Sequence, residues 1–209
     1  MIPTRRLLVR SFACVAVAAA LVACSSPGAT TGGTTIVSGA GCPSVQPEPL
    51  PGGETRTVTI ATDLGEMVIR VEADLSPIAA GNFVALAGCQ YYDGVVFHRV
   101  VPGFVIQGGD PTGTGTGGPG YTIEDELVTA EYGRGTVAMA RTSQPDSVGS
   151  QFFIVTDDAA RDALVSANTY QIIGTVTSGM ETADAITAAA DAELPSDPVV
   201  MTRVTVSNP

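Results

Sequence analysis

Val95-Val96-Phe97-His98-Arg99-Val100-Val101-Pro102-Gly103-Phe104-Val105-Ile106-Gln107-Gly108-Gly109-Asp110 decides how the rest of this chain is read. Two apolar runs flank Pro102-Gly103, the pattern of two short strands joined at a turn. The stretch holds one Arg, the only His of the chain, one Gln and two Phe. A cationic fork, an amide and aromatic rings on extended backbone suit a peptide-binding groove better than a plain core strand. His98 and Arg99 are neighbours on a strand and so point to opposite faces. If Arg99 faces the groove, His98 faces the interior, as a satisfied core residue. A Pro-Gly turn is compatible with type II, which splays hairpin strands, so the register of Arg99 against Gln107 stays open.

The segments around it are also mostly extended. Thr57–Thr62 alternates as a half-buried strand does, Asp63-Leu64-Gly65 turns, and Glu66–Val71 resumes, giving a hairpin. Ser76-Pro77 opens a helix, with Ser76 as its N-cap and Ile78, Phe83, Leu86 and Ala87 toward the core. Asp110–Gly120 is a Gly-rich loop, either the wall of a site or a long turn. A phosphate-binding loop would need Gly-Lys-Ser/Thr, and the chain has no Lys. Strands follow at Gly135–Ala140, Gly149–Val155 and Tyr170–Val176, then a helix over Ser178–Ala190 and a last strand over Val199–Val206. In Gly149–Val155, Gln151 and Phe153 share one face while Phe152 and Ile154 share the other. About seven or eight strands and two helices, without βα alternation, predict a closed or nearly closed antiparallel sheet with helices at its ends.

The N-terminus reads as a targeting segment. Arg5, Arg6 and Arg10 precede an apolar run, Ser11–Val22, shorter than the ~20 residues of a spanning helix. Leu21-Val22-Ala23-Cys24 resembles a bacterial lipoprotein lipobox. The resemblance implies a signal peptide over 1–23, cleavage before Cys24, and acyl chains including palmitate that hold Cys24 to the cell membrane. Residues 24–53, rich in Gly, Ser, Thr and Pro, are then a flexible tether, and 54–209 the domain. The expected location is extracytoplasmic. In that oxidising setting Cys42 and Cys89 form either a disulfide or two free thiols. The 209 residues carry a formal charge of −11, and losing the three leader arginines takes it to about −14. Such acidity argues against nucleic-acid partners. One His and isolated Cys leave too few ligands for zinc, so no metal is expected.

The chemistry open to these residues is narrow. Gly149-Ser150-Gln151 lacks the second Gly of a nucleophile elbow, and an inward His98 is no base for it, so serine hydrolysis fits poorly. Rotation about an X–Pro bond needs no nucleophile and no cofactor. Its barrier of ~20 kcal/mol comes from amide resonance. Lowering that barrier takes a pocket for the proline ring, a grip on the flanking backbone and a donor for the imide nitrogen. Arg99 can be the donor, Phe104, Val105 and Phe153 an apolar pocket, and Gln107 or Gln151 a holder of the guanidinium or the peptide.

Two motifs turn that possibility into a family. Phe97–Asp110 resembles the cyclophilin signature, and Gly149-Ser150-Gln151-Phe152-Phe153-Ile154 resembles the family's second signature, with the similarity running from Thr57 to Val206. The resemblance implies a mainly β fold, a closed eight-stranded antiparallel barrel capped by two helices, and peptidyl-prolyl cis-trans isomerase activity. It implies Arg99 as the catalytic arginine and Gln107 as the residue that orients it. Phe104, Val105 and Phe153 match the proline pocket, with Val105 where many members have Met. Ala140 and Arg141 match an Ala-Asn pair that grips the peptide backbone, and Gln151 a further groove residue. Tyr170 stands where the family has His, and Leu164 matches the pocket leucine. No cofactor is implied. The partners implied are proline-containing segments of exported proteins, met by a monomer. The alternative is a non-catalytic proline-peptide-binding chaperone or scaffold module.

Overall fold

The computed structural model describes residues 41–208. They fall within one compact unit, Gly33–Pro209. The leader, Cys24 and the first part of the tether lie outside the described residues. No helix among the described residues is long and apolar enough to cross a membrane.

The alternating stretches form strands as their two-residue period requires. β1 (Thr55–Thr62) and β2 (Gly65–Glu72) make the first hairpin, paired from Thr55↔Glu72 to Thr62↔Gly65. The opening stretch gives β3 (Arg99–Val101) and β4 (Val105–Gly108). Then come β5 (Thr136–Met139), β6 (Phe152–Val155), β7 (Ile172–Ser178) and β8 (Arg203–Ser207). All eight join one sheet in the order β3-β4-β6-β5-β7-β2-β1-β8, and every neighbouring pair is antiparallel.

The chain is therefore mainly β, as expected, but the expected closed barrel is corrected to an open half-barrel whose edges are β3 and β8. One antiparallel bridge, Val96↔Val200, spans those edges. Around it Phe97 N–H donates to Val199 and Met201 N–H to Val95, at 2.9 and 2.8 Å. A continuous ladder stops there because the outer N–H of β3, on Val100, is already taken by the Glu193 carbonyl at 2.8 Å.

The expected two helices are corrected to three among the described residues: α1 (Pro77–Gly88), α2 (Arg161–Ala167) and α3 (Met180–Ala189). The unexpected one, α2, has seven residues and buries only Leu164, too little for a periodic apolar stripe. A 3₁₀ turn at Asp158–Ala160 leads into it, with the Ala159 N–H donating to the Asp157 carboxylate at 2.9 Å. Pro77 does open α1 and Ser76 stands at its N-cap position, but the Ser76 side chain makes no capping bond, and its buried hydroxyl has no partner among the described residues. Instead the Glu126 carboxylate accepts from Ile78 and Ala79 N–H at 2.8 and 2.9 Å. A charged acceptor placed from another segment serves the exposed donors of the first turn and matches the helix dipole.

Residues 42–53 of the expected tether are held against the domain. Cys42 is disulfide-bonded to Cys89 at the end of α1. From there to Pro51 the chain lies along the helix as a strap. Leu50 is buried and its N–H donates to Pro77, while Gln46 accepts from Glu124 N–H. Gly81 of α1 lets the strap approach, since a Cβ there would run into the Glu48 carbonyl. The prolines that make this segment resemble a spacer also suit an extended strap.

The pleat sorts side chains into two cores. The larger one fills the concave side, with Val58, Ile60, Met67, Ile69, Phe152 and Ile154 from the sheet and Phe83 and Leu86 from α1. The Phe83 and Phe152 rings meet edge to face at 5.1 Å. A smaller core lies on the other side, around Val105, Ala138, Phe153, Leu164 and Ile172.

Reducing the Cys42–Cys89 bond, or replacing both residues with Ser, is expected to lower the unfolding free energy by about 2–4 kcal/mol. Urea denaturation with and without reductant measures this. An unchanged midpoint would mean that the strap carries no constraint.

Candidate functional site

The functional side chains stand on the outer face of β3, β4 and β6. Arg99 is paired across the ladder with Gln107, and Gln107 with Phe153. This resolves the register that the turn left open. Val101 and Val105 form the last pair of the hairpin, Phe104 N–H donates to Val101 at 3.0 Å, and Gly103 carries the positive φ of +71° that a type II turn requires. A loop of three residues, 102–104, accommodates a turn that would splay a tighter hairpin.

Three polar side chains form a directed row. Arg99 Nη1 donates to Gln107 Oε1 at 3.5 Å, a long bond, and Gln107 Nε2 donates to Gln151 Oε1 at 3.0 Å. Gln151 Nε2 then donates to the Gly115 and Gly117 carbonyls at 3.0 and 2.9 Å. The cation fixes the sense of the row. Arg99 has donors only, so the Gln107 carbonyl faces it, and each following amide must present its oxygen to the one before. The row thus joins the guanidinium to the loop of residues 110–120.

Beside the guanidinium is a cavity of about 100 Å³, with Phe104, Val105, Phe153, Leu164 and Tyr170 as its apolar and aromatic walls and Arg99, Gln107, Ala140 and Arg141 completing the lining. The Phe153 and Tyr170 rings meet edge to face at 5.3 Å. Tyr170 is held at its carbonyl, which accepts from the Tyr132 hydroxyl at 2.8 Å. Leu164 reaches the wall from α2. All the site residues expected on the domain therefore meet here except Gln151, which lies one hydrogen bond further along.

A second cavity of about 350 Å³ adjoins the first and shares Gln107, Ala140 and Arg141 with it. Its walls are 115–119, Tyr121, Thr122, Thr142, Ser147 and 149–151. The Gly-rich loop thus lines this cavity rather than forming only a long turn. The Arg141 side chain is largely turned into structure. It pairs with Asp125 at 2.9 Å and donates to the Thr142 and Gln144 carbonyls. Asp125 and Asp146 also exchange reciprocal bonds from N–H to carboxylate at 2.8 and 3.0 Å. This cluster fastens the 142–147 wall.

Asp110 anchors the loop's other end. Its carboxylate accepts from the Thr112 N–H and hydroxyl at 2.7 and 2.8 Å and from Gly117 N–H at 3.0 Å. Burial pushes its pKa up, but these donors together outweigh burial and hold it down at about 2. Gly109, at φ +88°, brings the backbone to β6, where a Cβ would come 2.5 Å from the Ser150 carbonyl.

His98 is buried, as its strand position requires, but it is not satisfied. Neither ring nitrogen has a partner among the described residues. Burial pushes its pKa down, the Asp110 carboxylate opposes this and Arg99 adds to it. The Ser150 hydroxyl donates to the Gly109 carbonyl at 2.7 Å and makes no hydrogen bond to His98. The two cannot act as a nucleophile and base in this arrangement. Among the described residues no three His, Cys, Asp or Glu side chains converge as metal ligands would. One residue at the site had no signal in the sequence: Glu193, whose carboxylate accepts from Arg99 Nε at 2.7 Å across 94 positions of chain.

Comparison with known proteins places this geometry in context. The family model described as cyclophilin type peptidyl-prolyl cis-trans isomerase/CLD matches residues 57–206. Peptidyl-prolyl cis-trans isomerase A of Mycobacterium tuberculosis is 34% identical over 184 residues, covering 80% of this chain and 100% of the relative. A Streptococcus pyogenes relative, by name a bifunctional phosphatase/peptidyl-prolyl cis-trans isomerase, is 49% identical over 102 residues, and the chain spans only 22% of its length. A crystal structure of a Cryptosporidium parvum cyclophilin type isomerase superposes with a TM-score of 0.67 at 33% identity, covering 74% of this chain and 99% of that one.

The depressed pKa of Asp110 sets a pH dependence. A carboxylate whose folded pKa lies below its unfolded one stabilises above the unfolded value and loses this as pH falls through the folded value. From 3.8 to about 2 the contribution is about 2 kcal/mol. Asp110→Asn is expected to be less stable at pH 7 and to show a flatter loss of stability between pH 4 and 2, measured by urea titrations across that range. An Asn variant with the wild-type profile would refute the anchoring role.

Proposed function

The chain belongs to the cyclophilin-type peptidyl-prolyl cis-trans isomerases, and we propose that Arg99 performs the reaction on X–Pro segments of exported proteins at the cell envelope. The observation that carries this reading is the position of the guanidinium. It lines the cavity that Phe104, Val105, Phe153 and Leu164 wall, and it is joined to Gln107 on the neighbouring strand.

A proline ring seated against Phe104, Val105, Phe153 and Leu164 buries apolar surface. Its flanking backbone then crosses the cleft toward Ala140 and Arg141, whose main chain can grip it. In the planar ground state the imide nitrogen shares its lone pair with the carbonyl and accepts no hydrogen bond. As the bond twists, that pair localises on nitrogen, and an Arg99 N–H placed there stabilises the twisted form more than the planar one. Catalysis is that difference. Gln107 limits the positions the guanidinium can take. The site spends no proton and forms no covalent bond, so His98 and Ser150 have no part in it. A dipeptide Ala-Pro is present with the related Cryptosporidium parvum enzyme, which superposes at a TM-score of 0.66. This supports proline-containing peptides as the ligand class here.

The setting follows from the N-terminus. We read Cys24 as the lipid-bearing residue after removal of 1–23, with the domain acting as a monomer outside the cytoplasm. The disulfide between Cys42 and Cys89 suits that compartment.

Arg99→Ala is expected to lower kcat/KM for an X–Pro peptide by about 100-fold or more while the unfolding midpoint stays near wild type. A protease-coupled isomerase assay on the full-length chain measures this, and unimpaired turnover would remove Arg99 from the mechanism. Cys24→Ala, expressed in a bacterium, is expected to leave the membrane fraction. Its retention there would count against lipid anchoring.

A further inference from the structure

The loop after α3 closes on Arg99 from the side opposite Gln107. Glu193 touches β3 twice. Its carbonyl accepts from Val100 N–H at 2.8 Å, and its carboxylate accepts from Arg99 Nε at 2.7 Å. The loop itself is folded back on a polar turn, in which Asp191 accepts from Ser196 N–H and from its hydroxyl at 3.0 and 2.6 Å. The Glu193 side chain is 59% exposed and that of Arg99 33%. An ion pair this open to water adds little to stability. What distinguishes it from a chance surface pair is the backbone bond one residue away, which places the carboxylate at a set distance from Nε.

Geometry gives the pair its use. Arg99 sits on an edge strand of three residues with part of its side chain in water. Without Glu193, Gln107 alone would hold it, by a bond of 3.5 Å. A long arginine held only there can swing out of the groove. A carboxylate on Nε fixes the inner end of the fork, while Gln107 takes Nη1. Among the described residues Nη2 has no hydrogen-bond partner and is left as the free donor. The reacting imide nitrogen needs one N–H aimed at it, and a misplacement of about 1 Å is costly in rate.

From this we infer that Glu193 is a positioning residue for the isomerase reaction, acting through Arg99. The inference rests on Arg99 being the donor. It predicts an effect on the chemical step rather than on peptide binding, because Glu193 does not line the apolar cavity.

The test compares wild type, Glu193→Ala, Glu193→Gln and Arg99→Ala as full-length chains in the isomerase assay, with kcat and KM separated by cis/trans exchange in NMR. Glu193→Ala is expected to lose about three- to tenfold in kcat, with KM within about twofold and the urea midpoint unchanged. Glu193→Gln, which keeps an acceptor oxygen, should fall between the two. Added salt should slow wild type, by screening the pair, and leave Glu193→Ala unaffected. A purely structural role would not produce that salt response. If Arg99→Ala is inactive while Glu193→Ala matches or exceeds wild type, or changes only KM, the inference is overturned and the reading of Arg99 stands. If Arg99→Ala is fully active, both fall.

Discussion

The constraint on which the rest depends is the parity of an antiparallel strand. Successive side chains face opposite ways, so one register choice assigns every residue of β3, β4 and β6 at once. With Arg99 opposite Gln107 and Gln107 opposite Phe153, cation, amide and ring share the outer face. Val100, Ile106, Phe152 and Ile154 go to the core on the other side. A slip by one residue would bury the guanidinium and expose the core, a cost no local adjustment could offset. The chemistry is thus fixed by the same contacts that stabilise the sheet.

Around that face the molecule uses two kinds of support. Apolar packing from α2, Tyr132 and Ala138 stands behind the small cavity. The larger cavity is held by polar contacts instead: Asp110 gathers the near end of its loop, Gln151 the middle, and the cluster of Arg141, Asp125 and Asp146 the facing wall. The first wall is shaped by close packing and changes little without loss of stability. The second consists of Gly-rich backbone pinned at a few points, so its shape can be altered by changing single polar residues.

Much of this could be read from the chain, for definable reasons. Val95–Asp110 and Gly149–Val155 combine two-residue alternation with residue types that few folds place together. They showed which residues cluster and which side each faces. What could not be read came from contacts distant in sequence. Glu126 replaces Ser76 as the cap of α1 from 48 positions away, and Glu193 reaches Arg99 across 94. Neither sits in a periodic or motif-bearing segment. The strap resembles a spacer until Leu50 finds a place against α1. At the open edge of the half-barrel, the outward Val100 N–H is taken by one carbonyl, that of Glu193.

That same carbonyl has a consequence for the company this protein keeps. An open sheet with two edges offers unpaired N–H and C=O groups, on which any extended chain can add itself as a further strand. Here Glu193 occupies the Val100 donor, the segment 199–201 covers the chain leading into β3, and the Asp93 carboxylate takes the Val204 N–H of β8 at 2.7 Å. Both edges are blunted. Further extended segments are thereby kept from adding to the sheet at these positions, and the outer-face groove is left as the open surface.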